Sequence, residues 1–440
     1  SRELLNRFVS FYSNASYTYD DKYVLSGSIR WDRSNLWGTN SKYQNKPLWS
    51  VGGSWNIYKE KFFQADFVDM LKLRASYGIG GNIGRNTAPY LIASYYDSSL
   101  VDGMAGSVNT PPNKDIRWEK TTTVNVGVDF ALFRHRLSGT IEYYNKYSVD
   151  LLAAINGSPT QGFGYTTLMT NNGKMVNRGV EITLSGEIIR QKDFSWNASL
   201  LYAFNRNKVK HISVQPSLWD SRISMPTSYP MVGKPLYGIY AYKWAGLNEN
   251  GDPQVYDAEN NVTSGPARDY HALVYCGTTV PIHNASLTNV LRYKGFEFSA
   301  MLILDAGHKL RSSNIPSINM SNGRITSTAK GIVDRWTQPG DVTDVPRLLF
   351  SNDTENFNTH RTELYRYSDL FVYDASNIRL SNISLAYRVP AHWCKKISLS
   401  GARLQFNVEN VATFAFDSKA NYDLGGKVKP NYVWGLYLNF

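Results

Sequence analysis

The sequence Asn431-Tyr-Val-Trp-Gly-Leu-Tyr-Leu-Asn-Phe440 ends the chain and decides its fold. Read in steps of two back from Phe440, one face carries only apolar side chains, whereas the other face is mixed. A period of two is that of a β-strand, and this strand has one fully apolar side and a terminal aromatic residue. Outer-membrane β-barrels commonly end in this way, because the last strand closes the barrel. We therefore predict an all-β, transmembrane antiparallel β-barrel in which Phe440 acts as the barrel-insertion signal.

The composition agrees with a membrane barrel but does not require one. The chain has 440 residues, of which 14% are aromatic, including 30 Tyr and 11 Trp. No apolar run approaches the roughly 20 residues that a transmembrane helix needs. An edge strand of a soluble β-sandwich remains the alternative, because soluble all-β proteins share most of these properties.

The net charge of +11 excludes few functional classes by itself. A basic balance suits solvated loops, anionic lipid headgroups or an acidic ligand. A nucleic-acid-binding protein would need Lys and Arg clustered on one face with interleaved aromatic residues. No such cluster stands out, so we do not expect nucleic acid as a partner.

Clean alternation of apolar and polar residues recurs along the chain and predicts further strands. It is clearest in Val124–Leu132, Val180–Ile188, Trp196–Phe204 and Phe296–Leu304. Near Ser400–Gly401 the apolar phase slips by one residue, which predicts a β-bulge.

The links between predicted strands alternate between short and long. Short links are predicted at Tyr19–Lys22, Leu132–Arg136, Ile189–Asp193, Tyr293–Phe296 and Pro390–Lys395, with an intermediate link at Lys59–Met70. Long links are predicted at 32–46, 79–118, 149–175, 207–281, 306–371 and 410–427. Outer-membrane barrels have short periplasmic turns and long extracellular loops, so we place the two kinds of link accordingly.

Counting back from Phe440 gives thirteen spanning strands. The strand-like segment Leu236–Trp244 would break the alternation if it crossed the membrane, so we place it in a hairpin inside the long extracellular loop 207–281. Thirteen antiparallel strands cannot close on themselves, because closure needs an even number. We therefore expect residues 1–440 to be the C-terminal part of a larger barrel.

The predicted topology separates the two cysteines. Cys276 falls in an extracellular loop and Cys394 in a periplasmic turn, roughly 25–30 Å apart, so we predict no disulfide between them.

A series of short motifs carries a family resemblance. In order they are Ile29–Ser34, Ser54–Phe63, Leu71–Gly78 with Gly81-Asn82, Trp118-Glu119, Asn125–Phe130, Asn177–Glu181, Arg335–Asp341 and the Gly435…Phe440 ending. In the first motif, Arg33 occupies a position where the related sequences usually have Gly. Any one motif is weak, but the ordered set, which covers nearly the whole chain, resembles the barrel of SusC/RagA-type TonB-dependent outer-membrane transporters.

The resemblance implies a 22-stranded barrel with an N-terminal plug domain. The plug, about nine strands and the segment that contacts the TonB complex would then precede Ser1. It also implies a SusD-like surface lipoprotein as a hinged lid, a dimer of transporter–lid pairs, and oligosaccharides or peptides as substrates. The protein would be integral to the outer membrane of a Gram-negative bacterium, in contact with its lipids, and would need no cofactor.

One region departs from the family pattern. Many members have a calcium-loop-like stretch, but here the corresponding residues are Asn248–Pro253 and Tyr256–Asn260. Their carboxylates are too sparse for a complete calcium loop, so we predict a polar turn and no metal site.

Aromatic residues in loop 207–281 are the candidate substrate- or partner-binding residues: Trp219, Tyr229, Tyr237, Tyr240, Tyr242 and Trp244. Sugar rings, peptide side chains and a partner protein would all use aromatic faces. The alternative is that these residues pack the loop itself or form an interfacial girdle. A second set, predicted to face the lumen, would hydrate it or contact the plug: Asp129, Glu142, Glu181, Glu187, Asp305, Arg403, Gln405 and Glu409.

An enzyme is not expected. His283 and Ser286 are close in sequence, but three positions apart on a strand they point to opposite faces, so they cannot form a nucleophile–base pair. The function that the family resemblance implies is TonB-dependent import of oligosaccharides with a SusD-like lipoprotein lid. The alternatives are import of peptides by the same mechanism, or a passive porin or structural barrel.

Overall fold

The computed structural model describes residues 7–36, 38–43, 46–84, 89–99, 103–156, 160, 167–216, 221–265, 267, 269–320, 328–350, 359–425 and 429–440. Strands dominate these residues, and the chain divides into two compact units. The first comprises residues up to Gln191, Ser195–Gln215 and Met231–Pro235, and the second comprises Lys192–Phe194, Pro216–Pro230 and Leu236–Phe440. No helix in the described part of the chain is both long and apolar enough to span a membrane.

The first unit is an antiparallel array of long strands with one added hairpin. Its strands are β1 Phe8–Tyr19, β2 Tyr23–Ser34, β3 Leu48–Asn56, β4 Val68–Asn82, β5 Ile92–Ser98, β6 Gly103–Thr110, β7 Glu119–Leu132, β8 Leu137–Asn156, β9 Thr167–Arg190 and β10 Phe194–His211. Each long strand pairs with the next along the chain, except that β4 pairs with β7 because β5 and β6 form a separate hairpin. Short 3-10 turns occur at Ser41–Tyr43 and Ile57–Lys59.

Strand register places apolar and polar residues on separate faces of this array. Val126 on β7 lies opposite Ala75 on β4 and Tyr143 on β8, so the three share one apolar row. The next residue along β7, Gly127, lies opposite Arg74 and Glu142 in a polar row. Because neighbouring residues on a strand point to opposite faces, the alternation in the sequence becomes a two-sided sheet. This is the pattern of a barrel wall with an apolar outside and a polar inside.

The second unit combines long strands with small sheets and short helices. Its long strands are β16 His283–Tyr293, β17 Phe296–Ala306, β22 Asn377–Arg388, β23 Gly401–Ala415 and β24 Asn431–Asn439, each paired with the next. Its short strands are β11 Gly238–Tyr242, β12 Trp244–Leu247, β13 Pro253–Tyr256, β14 Val262–Thr263, β15 Leu273–Thr278, β18 Lys309–Arg311, β19 Asn319–Met320, β20 Leu349–Phe350 and β21 Val372–Asp374. Its helices are α1 Ser221–Ser224, α2 Thr359–Arg366, α3 Ala391–Lys395 and α4 Asn421–Leu424, with 3-10 turns at Tyr270–Ala272, Lys330–Asp334, Asp369–Phe371 and Ser418–Ala420.

The last two strands confirm the period-two prediction. Phe406 on β23 lies opposite Trp434 on β24, with ring centroids 4.3 Å apart, and Leu404 lies opposite Leu436. Trp434, Leu436 and Phe440 are all exposed on this apolar face. The long strands of the two units together number thirteen, which is the predicted count.

The short links agree with prediction at most positions. β1 and β2 are joined through Asp20 and Asp21, and β16 and β17 through Lys294, which has a left-handed φ of 53°. Two predictions at the β22–β23 connection were wrong. The link at Pro390–Lys395 is longer than expected because it contains α3, and no register shift occurs where β23 pairs with β24 near Gly401. A helical turn, rather than a β-bulge, shifts the apolar phase there.

The long links hold more regular structure than the sequence predicted. The segment Leu236–Trp244 contributes β11, which pairs antiparallel with β15 inside 207–281. Because β12, β13 and β14 lie between these two strands in the chain, the pair is not the predicted hairpin. The link predicted at 149–175 is much shorter, because β8 continues to Asn156 and β9 begins at Thr167. The β-hairpin within 79–118 was not predicted. Cys276 lies on β15 and Cys394 on α3, and both are free thiols.

Candidate functional site

The polar face of the first unit carries a cluster of charged side chains that are hydrogen-bonded to one another. Arg74 on β4 donates two hydrogen bonds to the Asp129 carboxylate of β7, with N–O distances of 3.0 and 3.1 Å. Its guanidinium also donates to Glu142 on β8. Thr140 adds a hydroxyl bond of 2.9 Å to Asp129. One cation therefore serves two carboxylates across three neighbouring strands.

The second unit repeats this arrangement with the signs exchanged. Glu297 on β17 accepts from Arg292 at 2.7 Å and from Arg403 at 3.1 Å. Farther along β17, Asp305 accepts from the Asn284 side chain at 2.7 Å. These residues face away from the apolar rows, as the alternation predicts. Asp129, Glu142, Asp305 and Arg403 from the predicted lumen set thus take part in hydrogen-bonded polar contacts.

The links of the second unit fold into a compact body, which we call the outer-loop assembly: residues 236–265, 267, 269–282, 307–320, 328–350 and 359–376. Its apolar core consists of Ile318, Tyr365 and Phe371, with Trp244 packed against it. The Tyr365 and Phe371 rings meet edge to face with centroids 4.9 Å apart. Aromatic edge-to-face contacts add stability beyond the area they bury. The assembly is therefore an ordered body with a core of its own.

A buried ionic network joins distant parts of this assembly. Arg361 on α2 is 1% exposed and donates to Asp252 at 2.7 Å, to Asn319 at 2.5 Å and to the carbonyl of Arg347 at 2.8 Å. The Arg347 guanidinium donates two further hydrogen bonds to the Asp252 carboxylate, at 3.1 and 2.8 Å. A buried charge is tolerated only when it is paired and fully hydrogen-bonded, as here.

The same network explains the polar turn predicted at Asn248–Pro253. Asn248 Oδ1 accepts from the backbone N–H of Asn250 and Asp252, and Gly251 closes the turn with a φ of 73°. A Cβ at Gly251 would lie 2.4 Å from the Trp336 ring. Both oxygens of the Asp252 carboxylate accept hydrogen bonds from arginine side chains, and these bonds tie the turn to the rest of the assembly.

Two predicted binding residues, Tyr240 and Tyr242, lie in the interior and need correction. Each is 1% exposed on β11. The Tyr242 hydroxyl donates to the Ala267 carbonyl at 3.0 Å, and the Tyr240 ring lies 5.9 Å from that of Tyr275. Their side chains pack the loop, which was the alternative considered from the sequence. They cannot contact a substrate or a partner in this conformation.

The other predicted aromatic residues differ in exposure. Tyr229 is buried, and Arg222 donates to its carbonyl at 3.4 Å. Trp244 is partly buried and donates from Nε1 to Asp344 at 3.0 Å. Tyr237, by contrast, is 51% exposed and remains available for contact. Trp219 lies outside the described residues.

Sequence reasoning missed Arg311, which holds the assembly together through backbone carbonyls. Its guanidinium donates to Tyr240 O at 2.7 Å, Arg366 O at 3.1 Å and Ser368 O at 3.2 Å. Burial lowers its pKa from the usual arginine value. A lone Arg in a loop gives no sequence signal for this role. Nearby, burial raises the pKa of the Cys276 thiol to about 11.

The residues considered for catalysis do not form a site. His283 pairs with Ala306 and Ser286 with Ile303 along the β16–β17 ladder, so the two side chains point to opposite faces. A hydrolase needs its nucleophile and base within hydrogen-bond reach. In the described part of the chain, no three His, Cys, Asp or Glu side chains lie close enough together to hold a metal ion.

Comparison with known proteins assigns these features to a family. The profile of the family described as "TonB dependent receptor-like, beta-barrel" matches residues 5–411. TonB-dependent receptor P3 of Formosa agariphila is 27% identical over 97% of this chain and 43% of its own length. TonB-dependent receptor SusC of Bacteroides thetaiotaomicron is 25% identical over 92% of this chain and 40% of its own length.

A solved structure supports the fold. The structure of the RagAB peptide transporter matches 99% of this chain and 48% of that chain, with a TM-score of 0.80 and 23% identity. At this identity the likeness shows the fold alone. The chain spans less than half the length of the curated relatives it matches.

Proposed function

The chain belongs to the TonB dependent receptor-like β-barrel family, and from this membership we propose that it is part of a TonB-dependent importer of oligosaccharides. Like the family's other members, it is an integral outer-membrane protein. The observation that carries the proposal is the polar sheet face, whose charges are paired with one another. Such a face suits the interior of a barrel that holds a protein plug or a neutral ligand.

The chemistry of the polar face favours sugars over charged ligands. Arg74 is shared by two carboxylates, and Glu297 by two arginines, so each charged group in the two clusters already has a hydrogen-bonded partner of opposite sign. Hydroxyl pairs supply much of the remaining polarity: Ser28–Ser50 at 2.7 Å, Thr121–Ser148 at 2.8 Å and Ser185–Ser199 at 2.8 Å. Hydroxyl groups both donate and accept hydrogen bonds, as the hydroxyls of a sugar do.

The partners follow from the same premise. We propose that a plug domain packs against the polar face, and that the TonB complex acts on the plug. A SusD-like lipoprotein would cover the outer-loop assembly as a lid, with Tyr237 among its contacts, in a dimer of transporter–lid pairs. The ordered core of the assembly supports this, because a pre-organised surface loses little conformational entropy when a partner binds.

Peptide import is the second candidate. It is favoured by the fold likeness to the RagAB peptide transporter, with its TM-score of 0.80. Peptides carry charged ends, so a peptide importer would need unpaired charges along the substrate path. The paired clusters around Arg74 and Glu297 make this the less favoured candidate.

The test is uptake in cells that produce the complete protein with and without a functional TonB. We expect uptake of labelled neutral oligosaccharides that disappears when TonB is removed. TonB-dependent uptake of peptides with no uptake of sugars would favour the second candidate. Steady ion conductance of the purified protein in planar bilayers would contradict both and indicate a passive porin.

A further inference from the structure

The turn between β22 and β23 carries an exposed surface that neither the polar face nor the outer-loop assembly uses. Helix α3 ends at Lys395, but Lys396 keeps helical angles (φ −63°, ψ −21°), and Ile397 N donates to Cys394 O at 3.0 Å. Trp393 and Ile397 are four residues apart on this turn and therefore lie on the same side. They are 54% and 69% exposed.

The other side of the turn is firmly packed. Cys394 and Leu399 are buried, and Cys394 Sγ lies 3.8 Å from the carbonyl of Val389. Lys396 N donates to Trp393 O at 3.2 Å, which fixes the backbone of the exposed side. The exposure of two large apolar side chains is therefore a feature of an ordered turn.

The charge of this segment is of one sign. Residues 389–400 include His392, Lys395 and Lys396 and contain no Asp or Glu. Both lysines are exposed. Basic side chains beside an exposed Trp and Ile are typical of segments that lie at a membrane surface, where lysines reach phosphates and apolar groups enter the headgroup boundary.

The turn lies next to the end of the last strand, whose apolar face is exposed. Ser400 donates to the carbonyls of Asn439 and Phe440, at 2.8 and 3.2 Å, so the turn adjoins the end of the last strand. Phe440 and Leu404 are both exposed on that face.

The neighbouring turn within the same unit has similar chemistry. Phe296 packs on Tyr387 with ring centroids 4.5 Å apart, and Lys294 lies 5.4 Å from the Tyr293 ring. Tyr293 and Phe296 are exposed. Aromatic residues with basic neighbours collect where a membrane protein meets lipid headgroups.

We propose that Trp393, Lys395, Lys396 and Ile397, which we call the α3 anchor, bind the headgroups of anionic phospholipids. Trp393 and Ile397 lie at the boundary between headgroups and acyl chains, and the two lysines bind lipid phosphates. The leaflet is the one at the short-turn end of the strands, which is periplasmic under the orientation predicted from the sequence. This inference rests on the outer-membrane location and is independent of which substrate is imported.

Lipid retention tests the proposal directly. The complete protein is reconstituted in equal parts of phosphatidylglycerol and phosphatidylcholine, extracted mildly, and its bound lipids are counted by native mass spectrometry. We expect the wild type to retain phosphatidylglycerol in clear excess. K395Q/K396Q should lose that excess at least about fivefold, since each lysine near an anionic surface is worth roughly that factor. K330Q/K419Q, which removes two exposed lysines from the long links, is the matched control and should retain the wild-type ratio.

A depth measurement gives an independent result. The difference in emission between the wild type and Trp393→Phe isolates Trp393, and lipids with quenchers at headgroup depth should quench it. Equal retention of the two lipids by the wild type would overturn the proposal. So would a Trp393 signal that aqueous iodide quenches fully while the lipid quenchers leave it unchanged. The retention of phosphatidylglycerol is read on the wild type alone, so the proposal can fail even if a variant does not fold.

Discussion

Arg361 donates from Nε to Asp252 Oδ1 over 2.7 Å, and so joins helix α2 to a turn 109 residues earlier in the chain. Arg347 binds the same carboxylate from the other side at 2.8 Å. Two guanidinium groups thus depend on one carboxylate inside the outer-loop assembly. Loss of the Asp252 carboxylate would therefore remove the ionic partner of both arginines at once.

We expect Asp252→Ala to loosen the outer-loop assembly without unfolding the long strands. Removing the carboxylate leaves Arg361 buried without its ionic partner, which costs about 3–5 kcal/mol. Hydrogen exchange should rise in β12, β13 and α2 and stay slow in β16 and β17. Glu249→Ala changes an exposed carboxylate of the same turn and should leave exchange unchanged. Equal exchange in both variants would show that the network does not hold the assembly.

Comparing Tyr240→Ala with Tyr237→Ala should distinguish a residue that packs inside the outer-loop assembly from one that contacts a partner protein. The first empties a buried site and should cost the assembly about 3–5 kcal/mol. The second removes a half-exposed ring and should change stability by less than about 0.5 kcal/mol. Under the proposed function, Tyr237→Ala weakens binding of the lid lipoprotein, measured by co-purification. Unchanged binding in a folded Tyr237→Ala protein would remove Tyr237 from the contact surface.

Gly179→Ala should destabilise the ladder of β8, β9 and β10. A Cβ at this position would lie 2.4 Å from the Tyr144 ring and 2.5 Å from the carbonyl oxygen of Phe204, so backbone must move. Overpacking of this kind costs roughly 3 kcal/mol. Gly80→Ala is the control, because a Cβ there meets nothing within 4 Å. Urea unfolding in detergent micelles should show a lower midpoint for the first variant only.

Cys276 should resist alkylation at mildly alkaline pH. Burial raises its pKa to about 11, and the thiolate is the reactive form. Because folding raises the pKa of Cys276, its contribution to the free energy of unfolding is fully present below about pH 9 and is lost as the pH rises towards 11. Iodoacetamide labelling followed by peptide mass mapping reads Cys276 separately from Cys394. A labelling profile for Cys276 with its midpoint near pH 9 would contradict the burial of the thiol.

The sequence predicts the long strands well because their alternation is a direct consequence of a two-sided sheet. Val126 and Asp129 identify their faces without any tertiary information, and Phe440 and Trp434 do so at the chain end. The interior of the outer-loop assembly could not be predicted in this way. Tyr240 and Tyr237 are the same residue type three positions apart, and only tertiary packing makes one buried and the other exposed.

Two errors have specific physical causes. The link after β22 was misjudged because α3 is only one turn long and the exposed side of this turn carries Trp393 and Ile397, so the segment lacks the pattern of an ordinary surface helix. The extent of β8 was underestimated because backbone pairing continues beyond the point where alternation stops. A register shift between Ser148 and Leu151 marks that point.

The length of the β8–β9 hairpin has a consequence for how a cell presents this protein. β9 has 24 residues, and at about 3.3 Å per residue and a tilt near 45° it spans roughly 55 Å along the membrane normal. The apolar band of an outer-membrane barrel is only about 25 Å tall. Under the predicted orientation, the surplus length of this ribbon of strands extends beyond the membrane on the cell-surface side. An antibody or a phage approaching the bacterium would meet this ribbon well above the lipid.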